Sequence, residues 1–439
     1  MSRSADPGHF FQTSTALSES ARKAQKAKNE FGAPIKLPSK LLAIAADPLD
    51  DDEGVVYVAE AAGCVKRVVL ETGEVTHRFD GPAAPLTSLA LLPKARLVAA
   101  GCWDKSVWLW PLPSSAPSTT TISASATATA STNTPAPKKK PTTVASSGRL
   151  AGAHTDFVKT LLACSLGGLD VLVSGGSDAA IVVWDVAQRA PLYKLTGHAR
   201  GVLALALDPA AYTTRLSKQA PAVTVLSAGS DREIRAWRLE RGRGREVPVR
   251  GGATAADDEE ADGGESAAAP QDVEPLVRHE TSVDALYFDA DDDLWTASAD
   301  RSAKCLSRAR DWEPDTSLAH PDFVRDVVVD EAGGWVVTAC RDEEVRVWDR
   351  GSGKLHHTFA GHYEEVTGLL LLPGQRLVSV SIDGTIRQWS LKARDLKGAI
   401  EEAERLKQGE SKEIEDEKKE IELDDDEERE LAELMEDDD

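Results

Sequence analysis

The chain has 439 residues, and 51 lysines and arginines face 73 aspartates and glutamates, which gives a net charge of −22. Of this charge, −14 lies in residues 410–439, so the remainder is mildly acidic and does not predict a general nucleic-acid-binding surface. No apolar run reaches the about 18 residues of a membrane-spanning helix, and residues 1–15 lack a secretory signal. We therefore expect a cytoplasmic or nuclear protein, or one found in both compartments, whose five cysteines are reduced thiols.

The chain begins with a basic arm, residues 1–30. Within it, Arg22, Lys23, Lys26 and Lys28 stand among alanines, which predicts a helix without a strong apolar face. From residue 41 the pattern changes to two strand-like runs around a tight turn at Gly63, which lies one repeat of 41 residues before Asp104 and is therefore placed at the equivalent of that Asp. These residues lack the signature of the later repeats, and we interpret them as a degenerate first repeat.

Six later segments share a pattern in which an Asp precedes a Trp by six residues. The last two intervals between the Asp positions are 42 and 41 residues, which match one four-stranded blade of about 40 to 45 residues. The longer intervals must therefore contain insertions. The pairs are Asp104/Trp110, Asp178/Trp184, Asp231/Trp237, Asp300/Leu306, Asp342/Trp348 and Asp383/Trp389, with Leu306 in the Trp place.

Two further residue types keep a fixed place in these repeats. Five repeats have a hydroxyl residue four positions before the Asp: Ser174, Ser227, Thr296, Thr338 and Ser379. The same five repeats have a histidine further upstream: His154, His198, His279, His320 and His362. A motif that recurs this often without gaps is far more specific than a single match.

These residues resemble the signature of the WD-repeat family over residues 41–391. The resemblance implies an all-β fold, a single seven-bladed β-propeller of four-stranded antiparallel blades at residues 31–396. A helical or disordered arm precedes it, and an acidic helical or disordered tail, residues 397–439, follows it. A ring of blades closes best when one terminal strand completes the blade begun at the other end, so we expect residues 31–38 to be the outer strand of the last blade.

In this family the His, the hydroxyl, the Asp and the Trp of one blade form a buried hydrogen-bonded tetrad. The resemblance implies four complete tetrads: His154, Ser174, Asp178 and Trp184; His198, Ser227, Asp231 and Trp237; His320, Thr338, Asp342 and Trp348; His362, Ser379, Asp383 and Trp389. The blade with His279, Thr296 and Asp300 lacks the Trp. The blade with Asp104 has Ala100 and Pro82 in place of the hydroxyl and the His.

Two long insertions and a tail are poor in large apolar residues. We expect residues 112–147, rich in Ser, Thr, Ala and Pro, and the acidic residues 251–272 to be disordered insertions in the propeller. The final residues place Leu431, Leu434 and Met435 close together on a helix, so the tail is either a solvated chain or a segment that folds on binding.

The Ser, His and Asp of each repeat invite comparison with a hydrolase triad. However, the set recurs at fixed spacing beside a Trp, and no Gly-x-Ser-x-Gly motif accompanies it. The histidines also lack neighbours at metal-ligand spacing. We therefore expect no catalytic residue, no metal and no cofactor.

Partners of WD-repeat proteins commonly dock on the face that carries the His loops and the Asp turns. On that face the repeat positions place residue types that are frequent in interfaces. The candidates are Trp103, Asp156, Phe157, Arg232, Arg301, Phe323, Arg341 and Tyr363. Their mixed charges favour a protein or peptide partner; nucleic acid is possible but not favoured, and we expect no membrane partner.

The preferred hypothesis is a non-catalytic scaffold or adaptor that mediates protein–protein interactions inside the cell. One alternative is an RNA-linked assembly factor or a non-catalytic subunit of an RNA-modifying enzyme, suggested by the basic arm and the acidic tail. Another is a ubiquitin-ligase substrate receptor, which is weakened because Gly351 and Ala187 stand where one receptor class has the Arg of Trp-Asp-x-Arg.

Overall fold

The computed structural model describes residues 14–49, 54–113, 140–210, 222–249 and 273–405. The chain divides into two compact units, Met1–Trp389 and Ser390–Asp439. The described part of the first unit contains seven sheets, each built on four antiparallel strands, and two of the sheets have a fifth strand. The expectation of an all-β, seven-bladed propeller is confirmed.

Within each blade the strands run in chain order from the inner to the outer edge, with β1 of the last blade as the exception. The bounds for blades 1 to 3 are β2 (Leu41–Ala46), β3 (Val55–Glu60), β4 (Val65–Val69) and β5 (Glu74–Asp80); β6 (Leu86–Leu92), β7 (Leu97–Cys102), β8 (Val107–Pro111) and β10 (Gly148–Leu150); β11 (Val158–Leu166), β12 (Leu169–Gly176), β13 (Ala180–Asp185) and β14 (Ala190–Thr196).

Blades 4 to 7 follow the same plan. Their strands are β15 (Val202–Leu207), β16 (Ala222–Gly229), β17 (Glu233–Glu240), β18 (Gly244–Val247) and β19 (Leu276–Val277); β20 (Val283–Phe288), β21 (Leu294–Ser298), β22 (Ser302–Ser307) and β23 (Glu313–Ala319); β24 (Val324–Asp330), β25 (Trp335–Cys340), β26 (Glu344–Asp349) and β27 (Leu355–Ala360); β28 (Val366–Leu372), β29 (Arg376–Ser381), β30 (Thr385–Ser390) and β1 (Ile35–Lys36). A 3-10 turn, Arg308–Arg310, lies between β22 and β23.

The ring closes through the N-terminal segment, as expected from residues 31–38. Strand β1 pairs antiparallel with β30, with Ile35 opposite Ile386 and Lys36 opposite Thr385. The inner strand of blade 1, β2, contacts the inner strands of blades 2 and 7. Residues from opposite ends of the unit therefore share one blade, which leaves no open sheet edge at the junction.

The core lies between neighbouring blades. The inner strand β6 alternates buried and half-buried residues, which is the period-two pattern of a strand packed on one face. Trp184 of blade 3, for example, packs in one cluster with Leu109 of blade 2 and Leu172 of its own blade. Such clusters join each blade to the next, so the ring is rigid because every blade is packed on both sides.

Two segments near the long insertions differ from expectation. Strand β9 (Thr142–Ala145), which falls inside the insertion predicted at 112–147, adds a fifth strand to blade 1 and runs parallel to β5. The β-branched Thr142, Thr143 and Val144 favour an extended chain, and the outer edge of β5 offers free backbone groups. Residues 114–139, 211–221 and 250–272, which include most of both insertions, lie outside the described residues.

The outer strand of blade 4 is made of two segments. Strand β18 pairs with Ala236–Leu239 and β19 pairs with Glu233 and Ile234, both on β17. The insertion at 250–272 separates them in sequence. It therefore interrupts an outer strand and leaves the inner strands of the ring unchanged.

Two α-helices are described. Helix α1 (Ser14–Lys26) belongs to the first unit and agrees with the predicted basic helix. Helix α2, residues 393–405, belongs to the second unit, where Ser390 Oγ donates to Asp395 Oδ2 at 2.6 Å. Residues 406–439, the predicted acidic tail, lie outside the described residues. Neither helix is long and apolar enough to cross a membrane.

Candidate interaction face

In each blade the turn between the second and third strands lies at the same end as the connection from the previous blade. We call this end of the ring the top face. One residue of every such turn has a left-handed backbone, with φ between 59° and 79°: Gly63, Lys105, Ala179, Arg232, Arg301, Glu343 and Gly384. The repeat Asp directly precedes this residue in six blades, so Gly63 corresponds to Lys105 and not, as its spacing suggested, to Asp104.

Blade 3 shows the tetrad in full. Trp184 Nε1 donates to Ser174 Oγ at 2.8 Å, and that hydroxyl lies 2.7 Å from His154 Nε2. His154 Nδ1 lies 3.0 Å from Asp178 Oδ1, and the N–H of Thr155 donates to Asp178 Oδ2 at 3.0 Å. The chain of hydrogen bonds therefore runs from the third strand through the second strand to the top-face loop.

Blades 4 and 7 repeat this arrangement. The three distances from Trp to hydroxyl, hydroxyl to His and His to Asp are 2.7, 2.7 and 2.9 Å for Trp237, Ser227, His198 and Asp231. They are 2.9, 2.8 and 3.0 Å for Trp389, Ser379, His362 and Asp383. Three blades thus bring all four predicted residues together.

The tetrads fit a neutral imidazole. In that state the hydroxyl accepts from the indole N–H and donates to Nε2, and Nδ1–H donates to the Asp, which only accepts. Burial lowers the pKa of His362 and so favours the neutral ring. Burial alone would raise the pKa of Asp231, but hydrogen bonds from His198 and backbone N–H groups outweigh it and lower the pKa to about 2.

Blade 5 contains a tetrad without its Trp. His279 bridges Asp300 and Thr296 at 2.8 and 2.7 Å. Thr296 lacks an indole donor because Leu306 stands in the Trp place, and its hydroxyl lies 3.2 Å from the carbonyl of Lys304. Leu306 instead packs in a buried cluster that contains Trp312.

Blade 6 departs from the predicted tetrad. The prediction that His320 bonds to Asp342 is wrong, because each side chain has another partner. Trp348 Nε1 and His320 Nε2 do contact Thr338 Oγ1, at 2.9 and 2.8 Å. However, His320 Nδ1 donates to the carbonyl of Leu318 at 3.0 Å. Asp342 accepts two hydrogen bonds from Arg346, at 3.1 and 2.6 Å.

Pro321 explains this difference. In blades 3, 4, 5 and 7 the residue after the His donates its backbone N–H to the Asp. Proline has no N–H, so blade 6 loses this donor, and the bidentate guanidinium of Arg346 takes the carboxylate instead. In the sequence only the Pro after the His distinguished this blade, since Arg235 and Arg387 hold the place of Arg346 in blades 4 and 7, where the His contacts the Asp.

Blades 1 and 2 replace the tetrad by other polar contacts. In blade 2, Asp104 Oδ2 accepts from Trp108 Nε1 at 2.8 Å, while Trp110 Nε1 donates to the carbonyl of Asp80 at 3.0 Å. In blade 1, Lys66 Nζ donates to Glu60 at 2.6 Å, and both side chains are buried. These two blades are held by local pairs and not by the repeat signature.

The tetrads have no accessible nucleophile. The hydroxyl residues Ser174, Ser227, Thr296, Thr338 and Ser379 are each 0% exposed. A substrate could not reach these oxygens without unfolding a blade. The geometry therefore assigns the Ser, His and Asp to stability, since a nucleophile must contact the atom that it attacks.

Two groups in the described residues place possible metal ligands within 4.8 Å of one another: His198, Asp231 and Glu233, and Asp289, Asp293 and Cys305. In the first group both nitrogens of His198 already hydrogen-bond within the tetrad. In the second, Asp289 accepts from Trp295 and pairs with Arg350. Both groups have structural partners.

An aromatic platform lies on the top face at blades 2 and 3. The Trp103 ring stacks on Phe157 with centroids 4.9 Å apart and an interplanar angle of 13°. Lys159 Nζ lies 5.6 Å from the centroid of Trp103. Trp103 remains 39% exposed, so part of a large ring is open to solvent. We call Trp103, Phe157 and Lys159 the aromatic platform.

The other predicted contact residues fall into three groups. Arg341 lies over the ring of Phe323 at 5.1 Å. Arg232 lines a groove between blades 4 and 5 together with Arg200 and Glu280, and Arg301 holds the matching turn position of blade 5. Asp156 and Tyr363 mainly order their own loops, since Asp156 accepts from the N–H of Phe157 and Tyr363 donates to the carbonyl of Asp383.

Sequence reasoning missed the position of α1. Arg22 forms a bidentate pair with Glu343 at 2.8 and 2.6 Å, and Lys23 pairs with Glu364 at 2.8 Å. Lys26 contacts both Glu343 and Glu344, at 2.9 and 3.4 Å. The helix therefore lies on the top face of blades 6 and 7. The only sequence signal was opposite charge across more than 300 positions.

Comparison with known proteins agrees with this geometry. The model of the "WD domain, G-beta repeat" family matches residues 73–111, 312–349 and 353–390. A WD repeat-containing protein of Schizosaccharomyces pombe is 31% identical over 88% of this chain and 89% of its own length. The chain belongs to the WD-repeat family. This WD-repeat protein is also similar over short stretches to two tRNA (guanine-N(7)-)-methyltransferase non-catalytic subunits, wuho of Drosophila pseudoobscura pseudoobscura and wdr4 of Xenopus laevis.

Those two similarities cover a small part of each chain. The wuho match is 35% identical over 18% of this chain and 20% of wuho, and the wdr4 match is 43% identical over 16% and 19%. The three matched WD repeats each begin near an outer strand and end at the third strand of the next blade. The sequence repeat is thus offset by one strand from the blade, which is why a WD-repeat ring needs β1 to complete blade 7.

Proposed function

We propose that this WD-repeat propeller is a non-catalytic scaffold that binds a protein partner through the top face of blades 2 to 6. The observation that carries the proposal is the aromatic platform. A Trp that is 39% exposed and stacked on a second ring has a fixed orientation before any partner arrives. Preorganised Trp and Arg side chains are the residue types that dominate interface energies.

The charges around the platform favour a protein over a phosphate backbone. Arg232, Arg301 and Arg341 lie among Glu233, Glu280 and Glu343, so the face has no continuous basic stripe. The described chain is interrupted by the long insertions after β8, within the outer strand of blade 4 and after β15, and none of these points is a turn or connection of the top face. Short, rigid top-face connections are what a docking surface requires.

An intracellular location is part of this proposal. All five cysteines are unpaired, and four of them are buried. Free buried thiols fit a reducing compartment.

The experiment is affinity purification of tagged full-length protein followed by mass spectrometry. We expect Trp103→Ala combined with Arg341→Ala to lose the main partners. Leu355→Ala is the matched control, because Leu355 is 50% exposed but lies on the outer strand of blade 6. Equal recovery of partners by all three proteins, each with an unchanged melting temperature, would contradict the proposal.

A second candidate is a non-catalytic subunit of an RNA-modifying enzyme. The similarity to the wuho and wdr4 subunits over short stretches motivates it. It predicts that the purified complex contains a methyltransferase and that the complex binds tRNA with strong salt dependence. A complex without an RNA-modifying enzyme would exclude this candidate and leave the general scaffold proposal intact.

A further inference from the structure

The turn residue of blade 6 reverses the charge found at the same place in other blades. Lys105, Arg232 and Arg301 hold the left-handed position in blades 2, 4 and 5, whereas blade 6 has Glu343. Glu344 follows it, and Glu364 lies on the adjoining loop of blade 7. We call Glu343, Glu344 and Glu364 the acidic sector.

The acidic sector is occupied by a basic helix of the same chain. Arg22, Lys23 and Lys26 of α1 form ion pairs with all three glutamates, and they cover one side of the helix at spacings of one and four residues. Once paired, the Glu343 side chain is only 8% exposed. The sector thus selects a pattern of cations on a helix and not simply a positive charge.

The contact lacks an apolar component over the last turns of α1. Ala21 and Ala24 are exposed, so between residues 20 and 26 the helix contributes charged contacts. Arg22 is itself 47% exposed. Lys23 and Lys26 are 30% and 27% exposed, and ion pairs whose cations are open to solvent are individually weak and are screened by salt, so such a contact exchanges readily.

The ring closure is anchored by residues that follow α1, although Asn29 Nδ2 also donates to the carbonyl of Lys26 at the end of the helix. Asn29 donates to the carbonyl of Gly361 at 3.0 Å and accepts from Arg387 at 2.8 Å, and the N–H of Gln388 donates to Gly32 at 2.8 Å. Strand β1 follows. Helix α1 can therefore leave the acidic sector while residues 29–36 continue to close blade 7.

We propose that the acidic sector is a docking site for a basic helix of a partner protein, and that α1 occupies it as a tethered competitor. The partner helix carries Arg or Lys at the spacing of Arg22, Lys23 and Lys26. This inference goes beyond the proposed function, because it concerns blades 6 and 7 and does not depend on the aromatic platform.

The test uses a labelled peptide of residues 14–28 as the probe and fluorescence anisotropy as the readout. The released variant is the full chain with Arg22→Gln, Lys23→Gln and Lys26→Gln. A short tether gives an effective concentration of about 1 mM, so a peptide with Kd of about 0.1 mM should bind the released variant about tenfold more tightly than the wild type, or about 1.4 kcal/mol.

Two controls make the result specific. Adding Glu343→Gln and Glu364→Gln to the released variant should weaken binding about tenfold or more, and a peptide with Gln at the three cationic positions should not bind. The variant Trp103→Ala should behave as the wild type, so failure of the proposed scaffold surface is distinguishable from failure of this site. Equal affinity for the wild type and the released variant, or binding that survives Glu343→Gln and Glu364→Gln, would overturn the proposal.

Discussion

The altered hydrogen bonds of blade 6 predict how mutations in that blade combine. Asp342 contacts Arg346 through two hydrogen bonds, while His320 bonds to the carbonyl of Leu318. The Asp342 and Arg346 side chains are 20% and 11% exposed, so the pair is largely shielded from water. Residues in one hydrogen-bond network show coupling energies of about 0.5 to 3 kcal/mol.

A double-mutant cycle measures this coupling. For Asp342→Ala with Arg346→Ala we expect about 1.5 to 3 kcal/mol, the range for hydrogen bonds to charged groups. For His320→Ala with Asp342→Ala we expect less than about 0.5 kcal/mol, as for independent sites. Asp342→Ala alone should still destabilise the protein. The cause is that Arg346 loses its partner, since His320 does not donate to Asp342.

The assay is urea denaturation followed by tryptophan fluorescence, with free energies of unfolding for each single and double variant. The control cycle is His362→Ala with Asp383→Ala in blade 7, where Nδ1 lies 3.0 Å from the carboxylate. This control should show strong coupling. If His320 and Asp342 couple as strongly as His362 and Asp383, the account of blade 6 is refuted.

Three further predictions concern stability. Burial lowers the pKa of His320 from 6.5 to about 4. The neutral ring therefore contributes its full stability above pH 6.5, and this contribution is lost as the pH falls towards 4. Between pH 7 and pH 5 the free energy of unfolding should fall by about 2 kcal/mol, and His320→Gln should flatten the plot of stability against pH over that range. Gly63→Ala should lower the melting temperature, because Gly63 has φ +79° and an added Cβ would lie 2.5 Å from the carbonyl of Pro82, whereas Gly54→Ala, with open space around it, should not. Replacing residues 114–139 by a short Gly-Ser linker should leave the melting temperature unchanged. Extending the deletion through residue 145 should lower the melting temperature, because it removes β9.

The repeats made most of the ring predictable. A spacing of six residues between Asp and Trp, with a hydroxyl four residues before the Asp, fixes where the second and third strands lie, because both strands must bring these side chains together. The closing strand followed from the same reasoning, since without it blade 7 would have only three strands and β30 would be left without a partner on its outer side. Gly63 was misplaced by one residue because blade 1 offers no Asp from which to count.

The remaining features depend on contacts that no local pattern contains. Pairing of β9 with β5 depends on an edge more than 60 positions earlier. Docking of α1 depends on Glu343, 321 positions from Arg22. The missing N–H donor of blade 6 was readable from Pro321, but the bond from Arg346 to Asp342 was not, because Arg235 and Arg387 hold the same place in blades with complete tetrads.

The central claim is that the top face binds the partner. Cross-linking mass spectrometry of the native complex tests it with a lysine-reactive reagent, because Lys105 and Lys94 are both exposed and lie in blade 2 at opposite ends of its strands. The account predicts cross-links from partner proteins to Lys105 on the top face and none to Lys94. Cross-links to Lys94 without any to Lys105 would contradict it and would move the docking surface to the other face of the ring.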